Sequence, residues 1–145
     1  MNEAEKLFTK GVEAIKIGNI VSALVFFEKA TQLDSSPTNR SYLAFCIARE
    51  RGQFKRAIFL CEEALKEEAE NPVHYLNLGR VYILTGQKTE AMRVLREGLT
   101  HEENREIVAE LIGLGMRKPP VLPILKRHNL LNKYLGIVLT RLGLR

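Results

Sequence analysis

The sequence predicts an all-α solenoid: three stacked helix-turn-helix repeats, a closing helix, and a C-terminal segment with one more amphipathic helix. Three observations lead there. Small residues recur every 34 positions, with Gly18, Gly52 and Gly86 in register, then Ala23, Ala57 and Ala91, then Ala30, Ala64 and Gly98. Stretches such as "LVFFEKATQL" and "VLREGL" repeat apolar residues at the i, i+3, i+4 spacing of a buried helical face. Helix-breaking or helix-starting residues stand between these stretches, as at Pro37 and Pro72.

Taken in order, the first pair is expected over about Glu3–Ile17 and Ile20–Leu33, the second over Thr38–Arg51 and Phe54–Glu67. The third runs over Pro72–Leu84 and Lys88–Leu99. The glycines at 18, 52 and 86 turn the chain from one helix to the next, because a residue without Cβ reaches the left-handed region cheaply. Pro72 suits a first helical turn, where its missing N–H costs nothing. A glycine inside a helix costs about 1 kcal/mol relative to alanine. Gly11 and Gly79 are therefore expected at close helix–helix contacts, as are Ala23, Ala57 and Ala91 on the opposite helices. Phe45 breaks the pattern where the second repeat would have its glycine. The register continues into Ile112-Gly113, which echo Leu78-Gly79, until Pro119 and Pro120 stop it. This gives a closing helix over about 104–116, with Thr100 and Glu103 as a candidate capping box for an earlier start. That helix carries more apolar residues than one buried face needs.

The period and its residues resemble the tetratricopeptide repeat (TPR) family. The third unit carries the resemblance most clearly, with Tyr75, Leu78-Gly79, Tyr82, Gly86, Ala91, Leu95 and Gly98. The first keeps Leu7, Gly11, Gly18, Ala23, Phe27 and Ala30, while the second departs at Ser41 and Phe45. The repeats fall at about 4–37, 38–71 and 72–105, so the array spans 1–116 and the tail 117–145. The resemblance implies that first helices line a concave face. There it places Phe8, Val12, Tyr42, Cys46, Arg49, Leu76, Arg80 and Ile83 as a peptide-binding set. Aromatic residues would anchor apolar side chains and the two arginines would orient carboxylates. Family members that grip the acidic end of heat-shock chaperones use Lys, Asn and Arg, where this chain has Phe8, Val12, Leu43, Val73 and Asn77. The resemblance therefore implies no such clamp.

Composition agrees with a folded domain: 145 residues, 46% hydrophobic and 27% charged. The start, "MNEAEKLFTK", is polar and acidic, and no apolar run approaches the ~20 residues of a membrane span, so a cytoplasmic location is expected. Cys46 and Cys61 lack C-x-x-C spacing and read as small buried apolar residues. His74, His101 and His128 lack metal-ligand spacing and read as surface residues. No cofactor and no metal site is expected. Nucleotide-binding, zinc-protease and serine-hydrolase motifs are missing, and "CEEALKEEAEN" reads as a solvated helix face, so the sequence is read as that of a non-catalytic protein.

The net charge of +5 conceals an asymmetry. The last thirty residues hold seven basic side chains and no Asp or Glu, while residues 1–115 hold 15 basic and 17 acidic ones, a balance of −2. The tail is proline-rich over Arg117–Pro123. About Asn129–Leu142 it reads as an amphipathic helix with Leu131, Tyr134, Leu135, Val138 and Leu142 on one stripe. Four destinations compete for that stripe: the chain's own closing helix or groove, a second copy in a homodimer, an anionic membrane surface, or nucleic acid. The first is preferred because the closing helix needs a cover. Nucleic acid ranks last because the charges are dispersed and only Tyr134 is available to stack. A protein scaffold binding a peptide or helix of a partner is the leading reading, with a membrane-docking or self-associating adaptor as the alternative.

Overall fold

The computed structural model describes residues 1–115, and over that span seven helices and no strand are present. They are α1 (Glu3–Lys16), α2 (Ile20–Leu33), α3 (Pro37–Arg51), α4 (Phe54–Glu67), α5 (Pro72–Leu84), α6 (Lys88–His101) and α7 (Arg105–Gly113). Each helix meets its immediate neighbours, and α5 additionally meets α3 and α7. The chain is thus a stack of α1–α2, α3–α4 and α5–α6 pairs with α7 added at one end, an all-α repeat solenoid.

The helix starts follow from side chains that satisfy otherwise orphaned N–H groups. The side-chain oxygen of Asn2 accepts from the Glu5 N–H, and the Glu5 carboxylate accepts from the Asn2 N–H in return, a reciprocal capping box. Asn19, Ser36, Asn71 and Asn104 cap α2, α3, α5 and α7 in the same sense. Pro37 and Pro72 occupy first-turn positions in α3 and α5. At the other ends, Gly18 and Gly86 adopt φ of +81° and +78°. The following residues complete paired closing bonds, Asn19 N–H to Ala14 O and Gln87 N–H to Tyr82 O.

Two expectations about the end of the array are corrected. Thr100 does not cap α7. It lies inside α6, where its hydroxyl donates to the Glu97 carbonyl, and Asn104 provides the cap instead. The closing helix ends at Gly113, before the prolines, with Gly115 in the left-handed region at φ +87°. Met116 and the whole tail, including the proposed helix over 129–142, lie outside the described residues.

Close approach between paired helices is built on the small residues. A Cβ on Gly11 would sit 2.6 Å from the Phe27 ring, and one on Gly79 would sit 2.5 Å from Leu95 Cδ2. Both distances are shorter than any real contact, so a methyl group there forces the pair apart. Ala23, Ala57 and Ala91 are fully buried on the second helices. Gly98 does the same within the third pair and toward α7: a Cβ there would meet Tyr75 Cβ at 2.6 Å and Ile107 Cδ1 at 3.0 Å, which brings α5 and α7 onto α6. The core follows in two clusters. One runs through α1 to α6 around Phe27, Tyr42, Ile47 and Val81. The other, built of Leu76, Leu95, Leu99, Ile107, Val108 and Leu111, joins α7 to the third pair.

Candidate functional site

The first helices supply the candidate face, and its side chains divide into three environments. At the α1–α3 end, Phe8 packs edge-on to Phe27 and Tyr42, with ring centroids 5.8 and 5.3 Å away. Phe27 and Tyr42 stack at 5.1 Å. Phe8 and Val12 remain half-buried, while Tyr42 is buried and its hydroxyl is held above its ordinary pKa chiefly by that burial. Beside Phe8 a cavity of about 400 Å³ opens between the start of α1 and the α2–α3 turn, lined by Glu5, Phe8, Thr9, Asp34, Thr38 and Asn39 among others. Asn39 is fixed there by donating from Nδ2 to the Asp34 carbonyl at 2.7 Å.

In the middle of the face, Cys46 is fully buried, and burial pushes its thiol up to about 12, so it stays protonated and unreactive at neutral pH. Cys61 is likewise buried, with its thiol pushed up by desolvation. Arg49, near the end of α3, is exposed.

At the α5–α7 end the face is closed to ligands at two of the expected positions. Leu76 has no exposed surface and belongs to the cluster under α7, so it serves the core. Arg80 is engaged within the molecule. Its Nη2 meets Glu106 at 2.9 Å and its Nε meets Glu110 at 3.2 Å, while its guanidinium lies 5.3 Å from the centre of the Phe45 ring. The two glutamates sit one turn apart on α7 and answer one arginine on α5. Ile83 is half-buried beside the same cluster. The structure therefore places Phe8 at the cavity, leaves Arg49 exposed, and commits Tyr42, Cys46, Leu76 and Arg80 to internal packing or pairing.

Sequence reasoning missed one arrangement. His74, expected at the surface, is fully buried: its Nδ1 lies 2.9 Å from the Ser41 hydroxyl and its Nε2 lies 2.6 Å from the Glu68 carboxylate. Asn77 donates from Nδ2 to Ser41 Oγ at 3.2 Å. The His74 hydrogen bond holds the Glu68 carboxyl below the usual carboxylate range. A hydroxyl, an imidazole and a carboxylate in line suggest acyl-transfer chemistry. Here Ser41, His74 and Asn77 have no exposed surface, so no substrate reaches them. The seam joins α3, the α4–α5 turn and α5. Its signal in the sequence is Ser41, a small residue where the first and third repeats have Leu7 and Tyr75. The volume left there is filled by His74 from the next repeat.

Among the described residues no cluster of His, Cys, Asp or Glu has the grouping to hold a metal, and no helix is long and apolar enough to cross a membrane. Leu131, Tyr134, Leu135, Val138 and Leu142, the expected tail-docking set, lie outside the described residues.

Residues 48–114 match the tetratricopeptide repeat family model. A TPR repeat-containing protein of Methanocaldococcus jannaschii is 30% identical over 69 residues, which is 48% of this chain but 20% of that protein. The chain thus spans about a fifth of the length of the curated relative it matches. Among solved structures, the first TPR of Spaghetti (RPAP3), bound to the HSP90 peptide SRMEEVD, superposes with a TM-score of 0.59 at 23% identity. That match covers 77% of this chain and 92% of that one. The Sgt2 TPR domain from Aspergillus fumigatus gives a TM-score of 0.61 at 18% identity, covering 79% and 78%. Identities this low establish the shared fold and nothing finer.

Proposed function

Because this chain is a tetratricopeptide repeat protein, a fold that serves generally as a protein-interaction scaffold, we propose that it binds a peptide or helical segment of a partner protein along the face of its first helices. The observation that carries the reading is the open cavity of about 400 Å³ beside Phe8, an aromatic residue of the face that stays half-buried rather than enclosed. Phe8 and Val12 would receive apolar side chains, and the exposed Arg49 would fix orientation. A groove already held by packed helices reduces the ordering cost of binding. Catalysis has no part in this reading.

The acidic peptide held by the Spaghetti domain is not the ligand class proposed. The positions matching a carboxylate-gripping clamp are Phe8, Val12, Leu43, Val73 and Asn77. None is basic, and Leu43 and Asn77 are buried. Arg80 is moreover already answered by Glu106 and Glu110.

The test is selection from a random peptide library on the full chain, followed by affinity measurement. Thr9→Arg, which fills the cavity mouth, and Arg49→Glu should each weaken selected peptides about tenfold or more, equivalent to ~1.4 kcal/mol, without changing helix content. Phe59→Ser, at an exposed position of α4, should leave binding unaltered. Selected peptides that ignore both face variants but are lost on Phe59→Ser would move the binding surface to the second helices and end this proposal.

A further inference from the structure

We propose that residues 129–142 of the tail lie, within the same chain, against α7 over Ala109, Ile112 and Gly113, where each earlier unit holds its second helix. Ala109, Ile112 and Gly113 stand 34 residues after Tyr75, Leu78 and Gly79. In α5 those three positions are buried, and Gly79 is pressed so closely by Leu95 of α6 that a Cβ has no room. In α7 the same positions are open: Ala109 and Gly113 are exposed, Ile112 is half-buried, and no described atom lies within 4 Å of where a Gly113 Cβ would be. The first helix of a fourth unit is in place, and among the described residues the partner for its apolar and small-residue face is not.

The tail matches that vacancy in chemistry and reach. Its stripe of Leu131, Tyr134, Leu135, Val138 and Leu142 supplies bulky side chains, as Phe27 and Leu95 do for the glycines of the first and third units. The tail's seven basic residues, two of them (Lys133 and Arg141) within 129–142, are opposite in charge to Glu102 and Glu103, which are exposed at the entry to α7. Residues 116–128 connect the two. Thirteen extended residues span about 43 Å, whereas nine helical residues of α7 are only about 14 Å long, so the stripe reaches α7 in either direction. Intramolecular delivery also needs no second molecule, since the linker sets a high local concentration.

The test uses the full chain with Ala109→Cys, in which the native Cys46 and Cys61 are buried and silent. The introduced thiol should be labelled at least tenfold more slowly than in the same chain carrying Leu135→Asp and Val138→Asp. That protection should be independent of protein concentration, in a species that light scattering shows to be monomeric. Gly113→Ala is the second measurement. A docked tail makes the added methyl clash and lowers Tm, whereas an uncovered helix gains from alanine and raises it. A freely labelled thiol or a raised Tm overturns the proposal. So does protection that grows with concentration, which assigns the stripe to a second copy. Protection seen only with phosphatidylserine vesicles assigns it to a membrane and overturns the proposal equally.

Discussion

Gly11 faces Phe27 and Gly79 faces Leu95, whereas the second repeat puts Phe45 on its first helix and Cys61 at the matching place on its second. The outer repeats bring two backbones together by removing a side chain from the first helix. The middle repeat keeps an aromatic there and shrinks the opposing residue. Both Phe45 and Cys61 are buried in the same cluster. Close packing across a helix pair is thus reached with different residue types at the matching positions, the small residue standing on either helix. The middle repeat also shrinks a second site, Ser41, and there the filling is polar and comes from His74 of the next repeat.

The sharpest way to break that comparison is a double-mutant cycle on the middle repeat. Phe45→Ala should cost about 3–5 kcal/mol by leaving a cavity. Cys61→Leu should cost about 1–3 kcal/mol by overpacking. The double variant should be less destabilised than the sum by about 0.5–3 kcal/mol, as expected of coupled neighbours, in equilibrium denaturant unfolding. Strict additivity would mean that the two positions do not share one volume. Next in size, Gly79→Ala should lose about 1–3 kcal/mol, although alanine is the better helix former, because Leu95 is fully buried and has nowhere to move. A variant as stable as wild type would place α6 farther from α5 than described.

The smallest effect separates the polar seam from its apolar counterparts. The folded-state pKa of Glu68 lies below its ordinary value, so the unfolded chain binds that proton first as pH falls. The stability Glu68 contributes is therefore present above the ordinary glutamate pKa of about 4.3 and is lost as pH falls through the lower folded value. Glu68→Gln should flatten the loss of Tm between neutral pH and about pH 3 relative to wild type. Glu68 is partly solvated, which keeps the effect modest. An identical pH dependence in the two proteins would remove Glu68 from the acid response.

The elements were legible because their ends are marked locally. Pro37, Pro72 and the glycines at 18, 52 and 86 punctuate the chain, and the limits of α1 to α6 agree to within a residue or two, whereas α7 ends three residues short of the expected limit. The close contacts at Gly11 and Gly79 were legible because an interior glycine is costly unless something presses on it. The face was less legible, since its positions come from the repeat register while their exposure depends on the neighbouring unit. Leu76 and Arg80 look like groove residues until α7 is laid beside α5. Then Ile107, Val108 and Leu111 join Leu76 in one core, and Glu106 and Glu110 meet Arg80. The His74 seam escaped because its partner Ser41 lies 33 residues away, beyond any local pattern.

One feature of the fold bears on how the chain reaches it. Contacts pass from each helix to the adjacent helix or to the next but one. Ordering such a chain closes only short loops, each at small entropic cost, so low contact order favours rapid folding that spreads from any well-packed pair. Order is also lost in the same piecewise way. The terminal helix α1 can open without disturbing α5, and slow hydrogen exchange should concentrate in α3, α4 and α5, which have neighbours on both sides.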